Sequence, residues 1–379
     1  MATRPEAIPL PTTSDDERQF IASQWQLMWW RFRRHRLGLI ATAVIAGFYI
    51  LTLFSEFFAI HDPVETDSKR TFVPPQRVHF FDGFRPHPWV YQINALRNPE
   101  TAIMEFEDDK TQKIFINFFT RGHEYKFLGI LWKTDIHLMG VDIEGKHKTF
   151  YPLGTDRMGR DMWSRIMYGT RISMSIGLVG VAISLVLGLL LGGISGYTGG
   201  WVDVLIQRLI EFVRSMPTIP LWLALGAAVP ADWSVVKTYF AIVVIISFIG
   251  WTGLARQVRG RFLSMREEDF VIAARLYGTG RMRIIFRHML PSFMSHIIAT
   301  TTLAIPAIII AETSLSFLGL GLRPPVMSWG VLLKEAQNLQ SVSQAPWLLL
   351  PAVVVIVAIL AFNFMGDGLR DAADPYSTH

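Results

Sequence analysis

Apolar residues cluster into six runs, each near the roughly 20 residues that cross about 30 Å of hydrocarbon at 1.5 Å per residue. The runs are Leu37–Ile60, Ile172–Gly192, Val204–Val229, Tyr239–Leu254, Phe293–Leu315 and Trp347–Met365. Such a pattern predicts an all-α polytopic membrane protein. The third run carries Arg208, Glu211 and Arg214 near its start and Pro217 inside it, which places its first turns at the interface, ahead of the apolar part LWLALGAAV. The fourth is short but uninterrupted. Between the first two runs the pattern changes period. IMEFE, the turn signal DDKT and QKIFIN alternate as a β-hairpin would, from Ile103 to Asn117, and Pro63, Pro74, Pro75, Pro86 and Pro88 punctuate what precedes it. No helical period is visible there before Thr155. The expectation is a small β-containing insert over 61–171.

Composition supports the membrane reading: of 379 residues, 51% are hydrophobic and only 18% charged. There is no cysteine, which excludes a disulfide framework, a thiol nucleophile and Cys-ligated zinc. The net charge of +5 matters through its placement. Arg31, Arg33, Arg34 and Arg36 precede the first run, and arginines from Arg256 to Arg287 fill the connection between the fourth and fifth, whereas the opposite short connections carry Lys237, or Arg323 and Lys334. Basic residues beside short loops stay in the cytoplasm, so the tails 1–36 and 371–379 and the connection 255–291 are assigned there. The insert is then external, since long loops cross regardless of charge. Met1 to Gln24 lacks the apolar run of a secretory signal, so the first span is expected to remain as a span, with 172–370 forming a five-helix core.

The stretch RGRFLSMREEDFVIAARLYGTGRMRIIFRHMLP spends seven arginines and three acids on one connection. Glu267, Glu268 and Asp269 suit a helix start, where carboxylates complement the dipole and the free amides. Gly278-Thr279-Gly280 interrupts that helix, and Arg281 to Met289 resumes it until Pro291. The spacing turns Ile284, Ile285 and Met289 inward and Arg283 and Arg287 outward, while Ala273 and Ala274 leave a smooth surface one turn before Gly278. Two readings of these residues stand: a face for a close-fitting partner, or a basic loop packed against its own bundle and lipid head groups.

Two other places carry candidate chemistry. In GTDRMGRDMWSR, Thr155 or Asp156 caps a helix in which Asp156–Arg160, Arg157–Asp161 and Asp161–Arg165 lie four apart, pairs worth roughly 0.3–0.5 kcal/mol each. That predicts an interfacial helix leading into the second span, or an element closing the outer mouth of a pathway. Glu312 lies roughly 21 residues beyond Pro291, about 30 Å along a helix and so near the outer end of the fifth span. It is either a polar group of a pathway or gate, or a hydrogen-bonding contact to a neighbouring helix. Asn363 and His296 read as packing contacts, and Gly188, Gly192 and Gly196 at spacings of four suit close helix approach in lipid.

The pattern Ala273-Ala274-x3-Gly278-x9-His288-Met289-Leu290-Pro291 resembles the EAA-x3-G-x9-I-x-L-P loop of binding-protein-dependent ABC importer permeases, with Ile272 in place of the acid and His288 in place of the Ile. YPLGTDRMGRDMWSRIMYGTRIS, SFLGLGLRPPVMSWG and PWLLLPAVVVIVAILAFNFMGDGLRDAADP are similar to the second permease subunit of the oligopeptide and dipeptide branch. The resemblance covers about 31–61 and 153–375; the segment 62–151 lies outside the common pattern and is similar to a longer external segment of some members. It implies the six-helix type-1 permease architecture in a bacterial cytoplasmic membrane. It also implies a second homologous permease, two ATP-binding subunits, an external solute-binding protein, and transport of peptides or similar-sized solutes by alternating access. Phe270 to His288 would dock into the ATPase, with Glu267 or Glu268 standing in for the missing acid. Some members of that family carry oligosaccharides instead.

No GxxxxGK[ST] run exists in the sequence, so ATP-Mg is expected on partner subunits and no cofactor on this chain. Gly193-Ile194-Ser195-Gly196 matches the GxSG around the nucleophile of rhomboid proteases, but the spans hold no histidine base except His296, near a cytoplasmic end, and Ser195 itself falls at the cytoplasmic end of the second span. None of the ten histidines forms HExxH, and neither a metal site nor a nucleic-acid partner is expected. An ion-coupled transporter would want midplane carboxylates, and the sequence offers only Glu211 and Glu312 at span ends.

Overall fold

A computed structural model of the chain describes residues 23–97, 104–129, 131–141, 150–230 and 232–373. Helix α1, Gln24–Phe32, opens with a capping box in which Ser23 and Gln26 bond each other's backbone amides. The apolar helix α2, Arg36–Leu53, follows, its first turn capped by the His35 ring, which accepts the Gly38 amide at 2.9 Å. The helix stops at Phe54, short of the expected Ile60, and a separate turn α3, Ser55–Phe58, leads to the insert.

The rest of the bundle is built from α4 (Met162–Thr198), α5 (Gly200–Ser215), α6 (Thr218–Ala227), α7 (Val235–Met265), α8 (Asp269–Leu276), α9 (Met294–Phe317), the short α10 (Trp329–Leu333) and α11 (Leu350–Ala373). Among the described residues, 5 helices are long and apolar enough to cross a membrane: Arg36–Leu53, Met162–Thr198, Val235–Met265, Met294–Phe317 and Pro346–Ala373. The expected third span is not one helix but two: amphipathic α5 and short, apolar α6, which run between them from the end of the bundle where Asp203 bonds Arg259 to the end where Gly226 meets Leu320, with a break at Met216-Pro217, where proline has no amide to continue a helix.

The bundle packs through small residues. A Cβ on Gly192 would stand 2.5 Å from the Ala255 carbonyl oxygen, and one on Gly196 2.7 Å from that of Arg259, so α4 and α7 cross backbone to backbone. Met174, Ile176, Ile242, Ile246, Ile309, Trp329 and Phe362 form the core between α4, α7, α9, α10 and α11, while Val186, Ile310 and Ile356 face outward as lipid-facing side chains do.

The insert holds a three-stranded antiparallel sheet in the order β1 (Trp89–Arg97), β2 (Met104–Lys126), β3 (Lys133–Val141). The expected hairpin over 103–117 is not formed, and Ile103 lies outside the described residues. The DDKT stretch sits inside one 23-residue strand. Pairing jumps from Tyr91↔Lys113 to Gln92↔Asp109, and Lys110 to Gln112 are accommodated as a bulge in which Asp109 Oδ1 accepts the Thr111 amide at 3.0 Å. Asp and Thr made their local turn without reversing the chain, because both flanks of the bulge, Met104–Asp109 and Lys113–Phe115, pair with the same strand β1. Ile60, Val90, Ile114, Ile116, Val141 and Phe150 form a separate core beneath this sheet.

Nor is an interfacial helix present over Asp156–Arg160. Asp156 Oδ1 accepts the amides of Met158 (2.8 Å) and Arg160 (3.0 Å), and Gly159 is left-handed at φ +74, so the segment is a tight loop. The helix starts at Met162 with Asp161 as its cap, accepting the Ser164 amide at 2.9 Å, and runs unbroken into the membrane-crossing part.

Candidate functional site

At one end of the bundle, α8 and the chain that follows it make the helix, glycine turn and helix expected from the sequence. Helix α8 begins directly after Glu268 and ends at Tyr277; Gly278 is left-handed at φ +75, its amide donating to the Arg275 carbonyl at 3.0 Å. Beyond Gly280 come Arg281–Arg283 and a π-helical turn, Ile284–Met289. Ile284, Ile285 and Met289 are buried, and Arg283 and Arg287 exposed. Leu290 is buried and Pro291 leads into α9, while His288 is half-buried.

Val271 and Ala274 anchor α8. They pack with Tyr197 of α4, Val258, Phe262 and Met265 of α7, Phe293 just before α9 and Ile297 of α9 into one apolar cluster. The Arg275 guanidinium adds a contact 5.6 Å from the Tyr197 ring centroid. The expectation of two outward alanines is thus corrected: Ala273 is exposed and Ala274 is not. What α8 offers to solvent is Phe270, Ile272, Ala273, and above all Leu276 and Tyr277, exposed at 83% and 90%. Leu276 and Tyr277 were not foreseen. Their signal was two large apolar residues directly before a glycine turn. Glu267 and Glu268 are exposed beside them, with Glu267 3.4 Å from Arg266.

The same end is braced by a polar network around Asp203. Its carboxylate accepts from Arg259 Nε (2.5 Å) and Nη2 (2.6 Å) and from the Ser195 hydroxyl (2.5 Å), which also accepts from Gln207 at 3.1 Å. Hydrogen bonds from Arg259, and then from Ser195, hold the Asp203 carboxyl below its ordinary range against the opposing effect of burial. Ser195 is thereby a tie between α4 and α5; its hydroxyl faces a carboxylate and an amide.

At the opposite end lies a charge cluster. Arg160 bonds Asp156 and Glu335, each at 2.7 Å, and buried Arg165 bonds the same two acids. The structure joins Asp156 and Arg160 with Arg165 and Glu335, the latter not anticipated because it lies 175 residues from Arg160. Arg157 is exposed, and Asp161 is spent on its cap and on His61 at 3.7 Å. Glu312 is fully buried one layer deeper. It accepts from Ser328 (2.6 Å) and Ser316 (2.8 Å) on one oxygen and from Ser173 (3.3 Å) on the other. Ser173 also accepts the Trp329 amide at 3.1 Å, so the carboxylate links α4, α9 and α10.

The joint between insert and bundle holds His61, His123 and His137. His137 bonds the Glu56 and His123 carbonyls, each at 3.1 Å, and its ring centre lies 4.5 Å from that of His123. Burial first, and then the neighbouring His137, press the His123 imidazole down to about 4. No group of three or more His, Cys, Asp or Glu side chains able to hold a metal ion occurs among the described residues.

Residues 166–377 match the family described as "Binding-protein-dependent transport system inner membrane component", and residues 23–75 match "N-terminal TM domain of oligopeptide transport permease C". The chain is 33% identical over 355 residues to the dipeptide transport system permease protein DppC of Lactococcus lactis, covering 93% of this chain and 91% of the relative. It is 40% identical to the oligopeptide transport system permease protein OppC of Haemophilus influenzae, over 64% of this chain and 75% of that one. It is 38% identical to a putative peptide permease protein of Brucella suis, over 64% and 78%. A solved structure of the MetNI methionine ABC transporter in an inward-facing conformation superposes with a TM-score of 0.44 at 16% identity, over 56% of this chain and 97% of that one.

Proposed function

The chain belongs to the family of binding-protein-dependent transport system inner membrane components, and on that premise we propose that it is one of two permease subunits of an ATP-driven peptide importer. Relatives that bear dipeptide and oligopeptide permease names support the substrate class. A second, homologous permease completes the pathway, two ATP-binding subunits sit beneath the pair, and a solute-binding protein delivers substrate on the side of the insert. Both termini and α8 lie in the cytoplasm, where Arg31, Arg33, Arg34 and Arg36 and the arginines around α8 satisfy the positive-inside rule.

The observation that carries this reading is the exposed apolar end of α8, Leu276 and Tyr277, on a helix whose other face is packed against α4, α7 and α9. A helix fastened that way cannot be displaced without moving those spans. Closure of the ATPase pair draws α8 inward, the spans turn with it, and the pathway opens toward the loaded binding protein; hydrolysis resets it. ATP is held by the partners, and this chain supplies the lever. At the other end the Asp156, Arg160, Arg165 and Glu335 cluster and the serine-bound Glu312 keep the outer ends of α4, α9 and α10 in register, forming the outer gate. Arg157, exposed in the same loop, is available to the binding protein, and Asp161 fixes where α4 begins.

The test is a pair of substitutions at Gly278. Gly278→Pro removes the amide that bonds Arg275 and cannot adopt φ +75, whereas Gly278→Asn tolerates the left-handed conformation. In the assembled transporter, Gly278→Pro is expected to abolish uptake and substrate-stimulated ATP hydrolysis with normal membrane insertion, and Gly278→Asn to keep a substantial part of both. Normal uptake by Gly278→Pro would remove α8 from the coupling path.

A further inference from the structure

The far end of the insert's sheet is apolar and lies beside a membrane span. Between β2 and β3 the chain turns tightly: the Phe127 amide donates to the Trp132 carbonyl at 3.0 Å, and that of Leu131 to the Phe127 carbonyl at 2.9 Å. Trp132 is 64% exposed and Leu131 44%, with Leu128 also exposed. Leu128 holds a left-handed backbone at φ 53, a conformation glycine adopts at no cost, with its large side chain turned outward. On β2 itself, Phe119 is likewise left-handed (φ 56) and 69% exposed.

This tip does not project into open space away from the bundle. Phe127 stacks with Trp132 at 5.2 Å and leans on Phe54, at the end of α2, at 5.4 Å; Phe119 lies 6.0 Å from Phe57 of α3. Along α2, Ile50 and Leu53 are exposed apolar side chains of a membrane-crossing helix, and Phe54 extends that strip to the tip. The lipid-facing surface of the first span is therefore continuous with Phe127, Leu128, Leu131 and Trp132.

The charges beside the tip fit the same surroundings. Lys126 and Lys133 are cross-strand partners directly above the turn. Like charges opposite one another weaken a sheet in water, and the acid nearby, Glu124, reaches Lys133 only at 4.0 Å. A layer of phosphates at that height offsets the repulsion, and indole rings favour the same boundary.

We propose that the β2–β3 turn is a monotopic foot of the insert, with Leu128, Leu131 and Trp132 immersed in the leaflet beside the end of α2 and Lys126 and Lys133 among the head groups. Interfacial segments of this kind lower their apolar face roughly 5–10 Å into the boundary between head groups and acyl chains. The foot fixes the height and tilt of the insert over the bundle. It requires only that α2 spans the bilayer, and it stands whichever solute is carried.

The absence of cysteine allows single nitroxide labels in the otherwise native chain. The assembled transporter, in phosphatidylethanolamine and phosphatidylglycerol vesicles, is labelled at Leu131→Cys, at Trp132→Cys in case the first variant does not assemble, at Lys110→Cys as a water reference and at Ile356→Cys as a lipid reference. Power saturation then compares collision with oxygen and with a water-soluble nickel chelate. The expected result is oxygen access above nickel access at 131 and 132, as at 356, and the reverse at 110. Nickel access matching that at 110 would place the tip in water, and exclusion of both reagents would place it under another protein; either overturns the proposal.

Discussion

Single residues in this chain act mostly as ties between helices, and the costs of removing them differ in kind. Glu312 accepts hydrogen bonds from three serines in a fully buried setting, so Glu312→Leu orphans three hydroxyls, whereas Glu312→Gln keeps an acceptor for Ser316 and Ser328. Leaving a buried polar group unpaired costs about 1–3 kcal/mol, so thermal melts in detergent should place Glu312→Leu well below Glu312→Gln. Equal melts would mean that the serines find other partners. Gly192 is constrained by backbone, since its added side chain would meet the Ala255 carbonyl. Gly192→Leu is expected to separate α4 from α7, at a cost of about 1–3 kcal/mol or more because the obstacle cannot rotate away, and to lower the yield of folded chain on size exclusion. His123 responds to pH instead. Its folded pKa of about 4 lies below the ordinary 6.5, so it is neutral in the fold while the unfolded chain takes up a proton. The stability it confers is complete above pH 6.5, declines as pH falls toward 4, and is level below that. His123→Phe should flatten the pH dependence of the melting temperature over that window; an unchanged slope would assign the effect to another group.

At the scale of elements, legibility in the sequence followed how local the deciding interaction was. The long spans were readable because a stretch of apolar residues has one low-energy arrangement in lipid. Helix α8 and its glycine turn were readable because acids, a glycine pair and a proline mark its ends within one short segment. The third run was less legible because Pro217 divides it, leaving an amphipathic α5 and a short α6 where a single helix was expected. The hairpin failed because a bulge and a reversal use the same Asp and Thr chemistry, and only the separate strand β1, which pairs with both flanks, decides between them. Asp156 was placed in a helix by its spacing from Arg160; the pair forms, yet in a loop whose amides the same carboxylate collects. Glu335 depends on tertiary placement that no local pattern encodes, whereas Leu276 and Tyr277 had a local mark, two large apolar residues before a glycine turn, that was not used.

On the scale of the whole molecule, the chain is a bundle with α8 packed at one end and a buried charge cluster at the other, joined by helices that cross through glycine, and we propose that the first acts as a lever and the second as a closure. The inner face of α8 belongs to the same apolar cluster as α4, α7 and α9 and its outer face is exposed, so on the proposed reading motion imposed on α8 by a partner reaches those spans. The account stands or falls on what covers that outer face. The most direct measurement is photocrosslinking in membranes, with benzoylphenylalanine replacing Tyr277 in one variant and Phe84, an exposed residue of the insert, in another. Tyr277 is predicted to give an adduct that mass spectrometry identifies as a subunit bearing a Walker loop, with Phe84 giving none. A transport-competent Tyr277 variant that forms no such adduct would contradict the central claim.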